Sequence, residues 1–230
     1  MEQKILVFDS STIISLSLNS LLYILERLHE KHNIRFIITE EVKYEIVEKP
    51  LQIKRFELEA LMIQELLDKG VIELPAVIQI SSKEIKEKTF EILKAANRSF
   101  MARGEWIKLL SAGEGSCFAL GGILREKGID YALAIDERTA RMLSEKPENL
   151  QKLLGKKLHT PVKMQRGNLD IFSDTRIIRS AELCYIAYKD NLIGISDGIR
   201  LIDAMLYAVK YKGCAISTQE IEEVKKSLHN

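Results

Sequence analysis

The sequence predicts an α/β protein built around a mostly parallel β-sheet. Two observations carry that expectation. Short apolar runs alternate with long amphipathic stretches, the pattern of successive βα units. A chain of 230 residues with 46% hydrophobic and 29% charged side chains is also long enough to bury a full core. No internal repeat, low-complexity segment or flexible linker interrupts the alternation. One domain over residues 1–230 is expected, with an inserted segment at about 145–172.

The apolar run Ile5 to Phe8 supplies the first strand, and Ser11 to about Lys31 the first helix, with Leu18, Leu21, Leu22, Leu25 and Leu28 at helical spacing. Arg35 to Ile38 is a second strand. Thr39 is a good N-cap for the helix "EEVKYEIV", which Pro50 ends. A third helical pattern runs from Leu51 to Lys69 and stops at Gly70, ahead of the short strand "VIEL". Another helix spans Ser82 to about Asn97. A less regular connection through Trp106 then leads to the helix "SAGEGSCFALGGILREKG", with Gly128 as its C-terminal stop. "YALAI" is a strand and "DERTARMLSE" a helix.

Residues 145–172 break this order at Pro147, Gly155, Pro161 and Gly167, which predicts an inserted helix and a loop or hairpin. Their stretch "GKKLHTPVKMQR" carries Lys156, Lys157, Lys163 and Arg166 with no acid, either as a solvated surface excursion or as an arm that contacts substrate. "TRIIRS" reads as the last strand, and three helices follow it.

Lys and Arg total 34 against 33 Asp and Glu, a net charge of +1, so no global field advertises a nucleic-acid partner and any such surface is local. Cys117, Cys184 and Cys214 lie far apart without a Cys-x-x-Cys spacing and read as reduced core thiols of a cytoplasmic protein. His29, His32, His159 and His229 form no zinc pattern. Asp9 interrupts the N-terminal apolar run, so neither a signal peptide nor a membrane span is expected.

In parallel α/β sheets ligands bind beyond the carboxyl ends of the strands. Asp9 directly follows the first strand and Asp136 directly follows "YALAI", so both carboxylates belong to that edge. Either one could instead cap the helix that follows it. Glu114 lies in the first turn of its helix, three, four and seven residues from Cys117, Phe118 and Gly121, on the stripe that packs inward. Glu45 shares a stripe with Val42 and Ile46, although a surface pair with Lys49 would also explain it.

Carboxylates on apolar stripes need a compensating cation, and no Lys or Arg is placed to serve all four. Mg²⁺ or Mn²⁺, held by oxygen ligands, would serve them together. Neutralising one of these clustered like charges, as in Asp136→Asn, is then expected to raise stability without metal. The hydroxyls of Ser10, Ser11 and Thr12 either orient a ligand water or cap the first helix. A dinucleotide site is disfavoured because Phe118 stands where a third glycine belongs after "GEG", and a P-loop is absent.

With these segments in order, the chain resembles the PIN-domain nucleases. "LVFDSSTII" is similar to that family's opening strand and first acid, "ITEEVKYEIV" to its second acidic segment with Glu45, and "GEGSCFALGGI" to its Gly-Glu helix with Glu114. "AIDERTARML" resembles its acidic-pair-x-x-Ala-Arg motif, with Asp136 as the metal-binding acid, Glu137 in place of a second Asp, and Arg141 as the arginine. "IIRSAELCYIAYKDNLIG" and the helices after it resemble the closing elements of a prokaryotic subgroup. The segment around 51–110 fits loosely, and the insertion near 145–172 departs from the compact pattern.

The resemblance implies a three-layer α/β/α fold and a Mg²⁺- or Mn²⁺-dependent endoribonuclease, often a homodimer and the toxin of a toxin-antitoxin pair. Asp9, Glu45, Glu114 and Asp136 would be catalytic, with Asp9, Glu114 and Asp136 on the metal. Ser11, Arg138, Arg141, Lys156 and Lys157 are candidates to contact RNA. The rival expectation is a PIN-like scaffold that binds RNA or a protein partner without cleaving.

Overall fold

The computed structural model describes residues 4–195 and 197–228, so His229 of the expected histidine set lies outside it. Along the chain, β1 (Ile5–Phe8) leads through α1 (Ser10–Leu18) and α2 (Tyr23–His32) to β2 (Arg35–Ile37). Next come α3 (Glu40–Lys43), a π-helical turn over Tyr44–Glu48, α4 (Glu57–Asp68), β3 (Ile72–Glu73) and α5 (Ser82–Ala96). The hairpin of β4 (Phe100–Ala102) and β5 (Glu105–Trp106) precedes α6 (Ala112–Glu126), β6 (Tyr131–Ala134), α7 (Arg138–Glu145) and α8 (Pro147–Leu158). The described chain closes with β7 (Val162–Met164), β8 (Ile177–Ile178), α9 (Ser180–Lys189), α10 (Gly198–Tyr211) and α11 (Thr218–Ser227).

Five strands form one all-parallel sheet in the order β3-β2-β1-β6-β8, flanked by helices in a three-layer α/β/α arrangement. All four β1 residues are buried, because helices cover both faces and leave no polar side for alternation to reveal. Register aligns the strand ends: Phe8 lies opposite Ala134, and the Asp9 amide donates to Ala134 O at 2.9 Å. The residues after β1 and those after β6 therefore emerge together at one edge.

Three expected elements are corrected. The long first helix is two helices, since Asn19 Nδ2 donates to Ser15 O (2.7 Å) and Ser20 adopts φ +57°. Leu21 N then reaches Leu16 O (2.8 Å), a Schellman stop that local capping writes into an otherwise continuous leucine pattern. The helix expected from Leu51 is a short 3₁₀ turn at Pro50–Gln52, followed by α4 only from Glu57, where Glu57 and Glu59 suit the positive helix end. Thr39 caps α3 as expected, its Oγ1 accepting from Val42 N at 3.3 Å, but the helix continues as a π turn through Glu45.

The insertion differs as well. Its strand β7 makes no local hairpin; it pairs antiparallel with β4, giving a small sheet ordered β5-β4-β7. Phe100 and Phe172 are fully buried, and Phe172 stacks edge-on against Phe118 of α6 with centroids 5.2 Å apart. That burial joins the loosely matching segment before α6 to the insertion after α8. Among the described residues, no helix is long and apolar enough to cross a membrane, and the three cysteines are free and buried.

Candidate active site

Asp9 sits at the end of β1, 1% exposed, and its Oδ2 caps α1 by accepting from Ser11 N at 3.0 Å and from the Ser11 hydroxyl. Its Oδ1 is buried without a hydrogen-bond partner among the described residues. Burial raises the Asp9 pKa above the usual carboxylate range, the Ser11 bonds oppose that shift, and the Glu45 carboxylate adds to it.

Glu45 and Glu114 close in from two other elements. The π turn carries Glu45 toward α1, where the Ser10 hydroxyl donates to its Oε2 at 2.7 Å, and the alternative pair with Lys49 is not among the ion pairs of the described residues. Glycine at 113 lets that carboxylate lie against the first turn of α6, since a Cβ there would stand 2.5 Å from Glu45 Oε2. Glu114 completes a capping box with Ser111, its Oε2 accepting from Ser111 N at 2.7 Å. Burial, and then the charges of Asp9 and Glu137, push the Glu114 pKa up to about 7. Asp9, Glu114 and Glu45 also all act on the buried thiol of Cys117, whose pKa burial first and then these charges hold well above its usual value.

Among the described residues none of Asp9, Glu45, Glu114 or Glu137 forms an ion pair, and the buried guanidinium of Arg179 is committed to Glu182 and Glu220. The partial positive charge of the α1 and α6 N-termini is the nearest compensation. Also among the described residues, no three His, Cys, Asp or Glu side chains are already arranged to hold a metal ion.

Asp136 is fully buried and well supplied with donors, accepting from Ser180 N at 2.7 Å and from Ser180 Oγ at 2.6 Å, with Thr12 Oγ1 at 3.4 Å. It therefore supports the start of α9 from the end of the neighbouring strand, since β6 pairs with β8, while Glu137 caps α7 by accepting from Ala140 N at 2.8 Å. Glu137, which was read only as a variant in the motif, is the acid of this pair that bears on Glu114.

The candidate RNA contacts also sort differently. The Ser11 hydroxyl is occupied: it donates to Asp9 and accepts from Asp136 N at 3.1 Å. Arg141 donates to Ala215 O (2.9 Å) and pairs with Glu145 (3.4 Å), not with Glu137. Arg138 is exposed beside it in a polar cavity of about 360 Å³. Lys156 and Lys157 are exposed on the last turn of α8, and Arg166 pairs with Glu148 at 3.0 Å.

Asp9, Glu45 and Glu114 thus lie around Cys117, Glu137 bears on Glu114, and Asp136 is linked to Asp9 through the Ser11 hydroxyl. Ser10, which holds Glu45 in place, stands out in the sequence only as a hydroxyl that caps the first helix or orients a water, and Gly113 only as part of the Gly-Glu stretch. In comparisons with known proteins, no family model, no curated protein and no solved structure matches this chain.

Proposed function

We propose that the protein is a divalent-metal-dependent endoribonuclease of PIN-like type, acting through Asp9, Glu45 and Glu114 with Glu137 at the rim. One observation carries the reading: a carboxylate at the end of the central strand is buried beside two further carboxylates, with one oxygen unpartnered and no ion pair among the described residues. Burying such charge is costly unless something positive joins it. Oxygen-only donors suit Mg²⁺ or Mn²⁺. When bound, such an ion supplies the missing positive charge and polarises the phosphodiester.

The chain's own groups have definable parts in this reading. Ser11 holds Asp9 by hydroxyl and amide, so that Oδ1 faces the ligand. Ser10 and the small Gly113 fix Glu45. Glu114 titrates near neutrality, and its Oε1, which takes no bond among the described residues, is suited to accept a proton from the attacking water. Asp136 acts as a positioning residue: its backbone amide orients Ser11, and its carboxylate anchors α9.

A homodimer belongs to the same proposal. It is supported by Leu58, Leu61 and Met62, which lie exposed along one stripe of α4 next to exposed Phe56. The toxin role, with an antitoxin protein as partner, is tested by expression: growth arrest by the native chain but not by Asp9→Asn supports it.

Incubating the protein with mixed structured and unstructured RNA in Mn²⁺, Mg²⁺ or EDTA tests the chemistry. Metal-dependent cleavage that Asp9→Asn abolishes is the expected result. Failure of the native protein to cleave in either metal would favour the second reading, a non-catalytic RNA- or protein-binding scaffold, for which the inward commitment of Asp136 is the supporting observation.

A further inference from the structure

The small sheet β5-β4-β7 has one face in the core and one in solvent. Phe100 and Val162 point inward, 0% and 8% exposed. On the other face Trp106 lies opposite Met101, and Met101 lies opposite Lys163, so the three form one cross-strand row. Trp106 is the single tryptophan of the chain and is 42% exposed. It lines an open cavity of about 540 Å³ together with Lys94, Arg98, Gln165 and Asn168. Phe90, 72% exposed, lies one turn before Lys94 on α5, and Arg98 follows just past the helix end at Ala96.

The surface therefore interleaves exposed aromatics with cations. Among the described residues Lys94, Arg98 and Lys163 form no ion pair; the one acid lining this cavity, Glu91, lies 3.8 Å from Lys88, which bonds Glu126 more closely at 2.9 Å. Glu105 precedes Trp106, and strand alternation turns it to the opposite face. A solvated tryptophan flanked by unpaired cations matches a ligand with flat π-faces and a regular negative backbone. Single-stranded nucleic acid is that ligand: its bases are free to stack, while the stacked bases of a duplex cannot reach an indole on an open sheet.

We propose that this face is a stacking platform for single-stranded nucleic acid, with a base on the Trp106 indole and phosphates on Lys94, Arg98 and Lys163. It extends the nuclease reading by naming the substrate form. Ser111, the N-cap of α6, lies five positions after Trp106, and five extended steps span at most about 18 Å. One strand can thus reach from the platform toward Glu114.

The lone tryptophan makes the test direct. In EDTA, where metal-dependent cleavage cannot proceed, the protein is titrated with a labelled oligouridylate of about 12 nucleotides, within the range of one small site. Tryptophan emission and label anisotropy are followed together. Quenching that tracks binding is expected, together with weaker quenching by duplex RNA. Trp106→Ala should weaken binding by about tenfold or more, and Trp106→Phe should restore part of it. Lys94→Ala with Arg98→Ala should make the slope of log affinity against log salt shallower by about 1.4.

Binding with unchanged emission, equal affinity in Trp106→Ala, or equal quenching by polyglutamate would overturn the platform. Equal melting temperatures of the variants confirm that they are folded. Asp9→Asn separates the two readings, because it should lose cleavage in Mn²⁺ and keep the quenching. A native protein that cleaves no RNA yet shows the full quenching signature would keep the platform and remove the nuclease.

Discussion

Replacing Glu114 by Gln removes a charge from the acidic group while leaving a side chain that can still accept from Ser111 N. Burial and the neighbouring carboxylates place the Glu114 pKa at about 7 against an ordinary 4.5. A raised folded-state pKa means that the folded protein binds the extra proton between those values. Stability is then fully present below about pH 4.5 and falls as pH rises toward 7. The interval is about 2.5 units, worth roughly 3 kcal/mol at about 1.4 kcal/mol per unit. Asp9 acts with the same sign in both proteins, so the difference between them isolates position 114.

In metal-free buffer Glu114→Gln should match the native melting temperature near pH 4.5 and exceed it by about 6–12 °C at pH 8, using roughly 2–4 °C per kcal/mol for a chain of this size. Added Mn²⁺ at pH 8 should raise the native protein by mass action and the variant much less. Differential scanning fluorimetry from pH 4 to 8.5, with EDTA or Mn²⁺, reads both effects. Parallel curves for the two proteins in EDTA would refute the reasoning, since Glu114 would then ionise as an ordinary surface acid.

Three further outcomes follow from single contacts. Asp136→Ala strands the buried Ser180 amide and hydroxyl and should cost about 2–5 kcal/mol in urea unfolding, with Asp136→Asn costing less because it keeps one acceptor; a loss under about 0.5 kcal/mol would mean that α9 needs no cap from Asp136. This reverses the stabilisation expected from charge clustering, because the charge at 136 faces hydroxyls and an amide. Gly113→Ala should change stability by no more than about 1 kcal/mol, as helix propensity offsets displacement of a flexible carboxylate, yet weaken Mn²⁺ binding in calorimetry about tenfold; unchanged affinity would exclude Glu45 from the site. Leu58→Lys with Leu61→Lys should turn a dimer into a monomer in sedimentation at almost unchanged stability, and a native chain that is already monomeric would dismiss the α4 face as the contact.

Much of the sheet was legible because its strands are buried on both faces, so Ile5–Phe8, Arg35–Ile37 and Tyr131–Ala134 stand out as apolar runs between amphipathic helices. Thr39, Gly70 and Gly128 read correctly as helix boundaries, since capping and positive φ are local properties. The carboxylates beyond the first and fourth strands of the sheet were placed at one edge by the same local logic. What local patterns could not supply was anything set by contacts between distant segments. The pairing of Phe100–Ala102 with Val162–Met164 joins residues some sixty positions apart, and neither strand is long enough to announce itself.

Orientation past the end of a strand was equally hidden. Asp136 and Glu137 are adjacent, and only packing decides which of them accepts from Ser180 and which caps α7. Glu45 depends on a π turn and on a glycine in another helix, so its neighbours became known only once α3 and α6 were packed together. The sequence by itself determined the parallel α/β frame and the set of acids at its edge, because burial and capping act over a few residues. Only the tertiary structure decided which acids meet, which is spent on holding α9, and where the tryptophan faces solvent, because those are matters of long-range packing and of the direction in which each side chain leaves its backbone.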